Sequence, residues 1–234
     1  MNAGVQQQDE VPRLLRDEHG LGLVLGKTVV RGDFARMLPR LRPGNLNREL
    51  VVRAAKLKNT HDLPLAIDAT AGLGEDALLL AAAGFRVRMY ERNPSIAALL
   101  RDALQRAESA PELAEVVGRM HLCEGDSIQA LQGLANGGSP ELSALPGHVD
   151  VVLLDPMFPD ERNRAAAKKK LQLLRYLEEP CEDEAALLNA ALAVHPRKVV
   201  IKRPAKGPYL AGRKPSYSIA GKAIRFDCIV PPAE

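Results

Sequence analysis

Leu65-Ala66-Ile67-Asp68-Ala69-Thr70-Ala71-Gly72-Leu73-Gly74-Glu75-Asp76 runs from an apolar triplet through a glycine turn into an acidic pair, and apolar residues continue to Ala83. A short buried strand, a tight turn and a helix over Glu75 to Ala83 follow from that order. Gly84 then ends the helix, because glycine accepts the left-handed conformation of a C-cap. The same alternation repeats downstream. Arg86 to Tyr90 reads as a second strand, and Pro94 opens a helix to about Ala107. Arg119 to Cys123 is a third strand, with a helix over Asp126 to Leu134 capped by Asp126. Val149 to Leu154 is a fourth strand, helical patterns cover Ala165 to Leu177 and Glu182 to Val194, and Val199 to Ile201 is a fifth strand. Ser216 to Ala220 and Ala223 to Val230 suit a terminal hairpin. Strands separated by helices predict an α/β fold, a mostly parallel sheet with both faces covered.

Upstream the pattern differs. Residues 1 to about 20 read as loosely attached or disordered, and Leu21 to Val30 as a strand pair or a bent strand. Leu38 to Asn47, rich in Pro, Gly, Asn and Arg, reads as a loop, and Glu49 to Lys58 as a helix. The expected organisation is a small basic N-terminal subdomain over 1–62 and a main domain over 63–234, with Ala135 to Gly147 as a flexible excursion.

At 234 residues, 46% hydrophobic and 26% charged, the chain is an ordinary globular protein in composition. No apolar run approaches the roughly twenty residues of a membrane span. Met1 to Glu10 lacks the apolar core of a signal peptide, so a cytoplasmic location is expected. Three scattered cysteines and five scattered histidines give no disulfide framework and no close-spaced metal-ligand pair. Net charge is only +3, but it is unevenly placed. Nine Lys or Arg stand between Lys27 and Lys58 against Asp33 and Glu49, and nine between Arg197 and Arg225 against no acid. A third basic run spans Glu161 to Arg175. Each alone fits a solvated surface; together they fit a polyanion.

The turn after Ile67 suits a nucleotide-like ligand, since Gly72 and Gly74 let backbone come close. Gly72-x-Gly74-x-x-Ala77 also fits a dinucleotide such as NAD, or a tight turn with no ligand. Three carboxylates at strand ends discriminate. Asp68 could meet an amino group, Glu91 a pair of ribose hydroxyls, and Asp126 an adenine amine. Glu75 and Asp76 would oppose a pyrophosphate at the helix start. This set favours S-adenosylmethionine (SAM).

After the fourth strand stands Asp155-Pro156-Met157-Phe158. A carboxylate, a rigid turn and an aromatic ring at one strand mouth can hold a planar amine for in-line methyl transfer. Asp155 and a carbonyl near Pro156 would accept the amine N–H groups, and Phe158 would stack on the base. Asp-Pro as a turn initiator and Phe158 as core are the plainer readings.

Asp155-Pro156-Met157-Phe158-Pro159 resembles the Asp/Asn-Pro-Pro-Tyr/Phe motif of amino-group methyltransferases. With Asp68 to Asp76, Arg86-Val87-Arg88-Met89-Tyr90-Glu91-Arg92-Asn93-Pro94, Val199-Val200-Ile201-Lys202-Arg203-Pro204 and Arg225-Phe226-Asp227, the chain is similar from Leu65 to Asp227 to the RsmJ family, the 16S ribosomal RNA guanine-N2 methyltransferases. The resemblance implies a class I methyltransferase (Rossmann-like) fold with a seven-stranded sheet. It also implies SAM contacts from Glu75, Asp76, Glu91, Arg92, Asp126, Ser127 and Asp155, with Lys202 and Arg203 facing RNA. Arg48, Lys168 and Lys169 are further RNA candidates from the basic runs. The expected partner is small-subunit ribosomal RNA or an assembling 30S particle. Another amine acceptor (adenine, or a protein glutamine) and a non-catalytic RNA-binding assembly module are the alternatives.

Overall fold

The structure, a computed structural model, describes residues 11–58, 63–137, 148–157, 173, 177 and 183–232. In chain order its elements are β1 (Arg13–Asp17), β2 (Gly20–Leu25), β3 (Thr28–Val30), α1 (Leu38–Leu41), α2 (Pro43–Leu46), α3 (Leu50–Ala55), β4 (Leu65–Asp68) and α4 (Glu75–Ala82). There follow β5 (Arg86–Glu91), α5 (Pro94–Glu108), α6 (Pro111–Val117), β6 (Met120–Glu124), α7 (Ser127–Ala135) and β7 (Val151–Leu154). The last are α8 (Glu184–Ala193), β8 (Lys198–Pro204), β9 (Tyr217–Ala220) and β10 (Ile224–Ile229).

Seven strands make the main sheet, in the order β6-β5-β4-β7-β8-β10-β9. The first five are parallel, and β10 runs antiparallel to both β8 and β9. The expected class I architecture, terminal hairpin included, is the one observed. β4 and β7 are buried at every position, which is why they read as continuous apolar runs. Side chains alternate between two layers, as the two-residue strand period requires. Ala66, Val151, Leu153, Val200 and Phe226 join the cluster that includes Leu78 and Leu79 of α4. Leu65, Ile67, Val152, Leu154 and Ile201 join the one with Leu131 of α7 and Leu187 and Leu188 of α8.

Three segments depart from expectation. Residues 13–17 are a strand, paired with β2 from Arg13↔Val24 to Asp17↔Gly20 and tied to α5 by Arg16 Nη1, 2.8 Å from Asp102 Oδ1. Leu38 to Leu46 forms two short helices because Pro39 and Pro43 fall in first turns, where proline helps a helix start. α6 was not foreseen. The N-terminal part also shares its core with the main sheet: Phe34, Met37, Val51 and Ala54 belong to the same apolar cluster as α4. Most of the expected helix over 165–177 and most of the excursion over 135–147 lie outside the described residues, as do Phe158, Lys168 and Lys169.

Candidate active site

Strand order places the site. From β4 the chain builds outward to β5 and β6, then returns to the other side with β7 and β8. Ligands of open parallel sheets sit in the crevice at such a switch, beyond the carboxyl ends of the strands. A cavity of about 400 Å³ lies there, lined by Ala69, Thr70, Tyr90, Glu91, Arg92, Asn93, Pro94, Gly125, Asp126, Ser127, Ile128, Asp155, Pro156, Met157, Leu177 and Leu187. Glu91, Arg92, Asp126, Ser127, Asp155 and Pro156 of the sequence candidates therefore share one space.

Glu91 ends β5 and is buried, which raises the pKa of its carboxyl. Gly72 N–H donates to its Oε2 at 2.9 Å and Asn93 N–H to its Oε1 at 2.8 Å. One side chain thus ties the glycine turn to the start of α5. Asn93 caps that helix, its Oδ1 accepting from Ser95 N–H at 2.9 Å, a contribution of about 1 kcal/mol in such caps. Asp126 caps α7 in the same way, with Oδ1 accepting from Ile128 N–H at 2.7 Å.

The glycine turn does its work by packing. Gly74 has φ +75°, and a Cβ there would lie 2.7 Å from Leu100 Cδ1, so the site demands glycine twice over. Gly72, at φ +54°, aims its N–H at Glu91. Neither lines the cavity. Glu75 is exposed at the start of α4, and Asp76, half-buried, faces Lys202. Asp68 ends β4 and does not line the cavity; it is fully buried, which pushes its carboxyl up to about 7 even though Thr70 N–H donates to its Oδ1 at 3.1 Å.

Asp155 emerges from β7 with its backbone N–H donating to Thr70 Oγ1 at 2.6 Å. The β7–β8 register pairs Leu154 with Ile201, so Asp155, just past the end of β7, lies beside Lys202, which continues in β8 opposite Phe226. Lys202 Nζ lies 2.9 Å from Asp155 Oδ2 and 2.8 Å from Asp76 Oδ2. Burial works against the ammonium, but the two carboxylates outweigh it and raise its pKa. Thr70 and this pairing of Lys202 were missed in the sequence; the register of two adjacent strand ends was the available signal.

Arg203 is a correction. It is 1% exposed, its Nε donating to Pro208 O at 2.8 Å and its Nη1 to Glu184 Oε1 at 3.2 Å, so it braces the loop after β8 and does not face outward. Lys198 and Arg225 of the same basic run are buried too, Lys198 Nζ donating to Ala54 O and Lys56 O and Arg225 Nη1 to Pro204 O. Arg48, Arg53, Lys206, Arg213, Lys214 and Lys222 remain exposed. Gly221 packs against Leu50, so Lys222 and the segment holding Arg48 meet. They do so at the end of the sheet where β8 runs out toward Pro204, opposite Ile224.

A family model for SAM-dependent methyltransferases matches residues 5–231. The chain is 41% identical over 223 residues to a protein of Thioalkalivibrio sulfidiphilus named ribosomal RNA small subunit methyltransferase J, covering 93% of this chain and 84% of that one. It is 42% identical over 231 residues to the protein of that name in Alkalilimnicola ehrlichii, covering 93% and 83%. Among solved structures, a SAM-dependent methyltransferase from Neisseria gonorrhoeae superposes with a TM-score of 0.74 at 31% identity, over 97% of this chain and 86% of that one.

Proposed function

The chain belongs to the SAM-dependent methyltransferase family, together with the relatives named ribosomal RNA small subunit methyltransferase J, and we propose that it methylates the exocyclic N2 amine of a guanine in 16S ribosomal RNA. SAM is its cofactor, and the donor set fits that molecule. Glu91 suits the ribose hydroxyls, Asp126 and Ser127 the adenine edge, and Asp68, bonded to Thr70 N–H, the amino group.

When bound, SAM supplies an electrophilic methyl for in-line displacement. The chain's part is orientation, because a guanine amine has its lone pair delocalised into the ring and attacks poorly unless aligned. Asp155 carries the reading: it lines the cavity just past the end of β7, its backbone N–H held by Thr70 and its carboxylate by Lys202. It would accept an N–H of the target amine and turn the nitrogen toward the methyl. Phe158 would stack on the base, which has to be unpaired or flipped out of its helix to arrive there. The exposed Arg48 and Lys222 at that end of the sheet would hold RNA phosphates.

The test is transfer of labelled methyl from SAM to small subunits, their naked RNA, DNA and protein. Label confined to small-subunit RNA supports the proposal. Label in DNA or protein instead would replace the acceptor, and label in none of them, with SAM still bound, would remove it.

A further inference from the structure

We propose that Lys202 is the positioning residue for Asp155, a strut that fixes the carboxylate's rotation, with Asp76 holding the strut from the other side. The inference rests on the reading of Asp155 given above.

Three observations converge. The parallel register, which ends at Leu154↔Ile201, sets Asp155 one residue past β7 beside Lys202 within β8, so the sheet fixes the spacing of their backbones. Lys202 Nζ is bonded to one oxygen of each carboxylate, 2.9 Å from Asp155 Oδ2 and 2.8 Å from Asp76 Oδ2. Asp76 in turn sits in the first turn of α4, a helix whose Ala77 to Ala81 are fully buried against the sheet. The strut therefore has a rigid foot. Each end of Asp155 is then determined: the backbone N–H by Thr70 Oγ1 and the carboxylate by Lys202.

A phosphate contact is the competing role for a lysine in a basic run. The geometry disfavours it, because a phosphate would have to displace two carboxylates already in ion-pair distance, and the Lys202 side chain is only 25% exposed. Placement of a reacting group within about an ångström decides rates by as much as 10²-fold, which is the scale on which a positioning residue acts. Lys202 brings positive charge to Asp76 and Asp155, with Arg203 also acting on Asp155 and Arg40 on Asp76. Removing it takes away the ammonium that the two carboxylates share.

The experiment compares Lys202→Met, Lys202→Arg and Asp155→Asn with the wild-type chain, under steady-state methyl transfer with SAM and small-subunit RNA. For Lys202→Met the expected result is a kcat lower by about 30-fold, with KM for RNA and Kd for SAM within about threefold. Lys202→Arg should recover most of the rate by keeping both ion pairs. If Lys202→Met instead raises KM for RNA at unchanged kcat, the lysine is a phosphate contact and the inference is overturned. A Lys202→Arg variant as slow as Lys202→Met overturns it as well. Should Lys202→Met not fold, Asp76→Asn/Lys202→Met, which removes the surplus charge, is read by the same criteria. Asp155→Asn separates the two levels of reading. A fully active Asp155→Asn means the proposed site itself is wrong, whereas an inactive one beside a normal Lys202→Met overturns only the strut.

Discussion

Gly72 N–H donates to Glu91 Oε2 at 2.9 Å, so the carboxylate proposed for the ribose also holds the glycine turn in shape. On that proposal, cofactor contact and turn geometry are joined in one side chain. Glu91→Ala should leave the buried N–H groups of Gly72 and Asn93 short of a partner, lowering stability by about 1–3 kcal/mol. It should also weaken SAM binding by about 1.5–3 kcal/mol, or about 10- to 100-fold. Thermal unfolding and calorimetric titration measure the two effects, and unchanged SAM affinity would contradict the ribose assignment.

Asp68 predicts a pH dependence with a definite sign. Burial raises its carboxyl from 3.8 to about 7, so between those values the folded state holds a proton that the unfolded chain has released. Its contribution to stability is complete below about pH 4 and is lost as pH rises through about 7. The cofactor's ammonium favours the ionised carboxylate, so SAM affinity should increase across the same upper limit, with proton release on binding. Titration calorimetry in buffers of different ionisation enthalpy reads that proton directly. Asp68→Asn should abolish the release while leaving a weaker, pH-independent affinity.

RNA binding should depend on the exposed cations and not on the buried ones. Arg48→Ala and Lys222→Ala are each expected to raise KM for RNA by about threefold and to lower the salt slope of binding by about 1, with kcat unchanged. Arg203→Ala should instead destabilise the protein, because it removes a guanidinium that braces Pro208 and Glu184. Binding isotherms over a salt series and melting curves separate the two outcomes.

Much of this fold was legible because burial writes itself into periodicity. The continuous apolar runs of β4 and β7, the helix opened by Pro94 and the helix cap Asp126 stood where they were expected. β1 was not legible: four of its five residues are exposed or nearly so, and what makes it a strand is its pairing with β2 and the Arg16–Asp102 ion pair, both non-local. The site followed the same division. Glu91, Asp126 and Asp155 could be placed from strand ends alone, and they line one cavity. Basic residues could not be sorted by composition. Lys198 is consumed by carbonyls 142 and 144 positions away in the chain, and Arg203 by Glu184, contacts that only the folded chain creates.

The central claim is that the Asp155 carboxylate orients an RNA amine at the mouth of a SAM site. Its most direct test is nucleoside analysis of small-subunit RNA after reaction with wild-type protein and with Asp155→Ala, with SAM affinity measured for both. The account predicts N2-methylguanosine from the wild-type chain and none from Asp155→Ala, whose SAM affinity changes only modestly. The same nucleoside formed at full rate by Asp155→Ala, or a different methylated product from the wild-type chain, would contradict it.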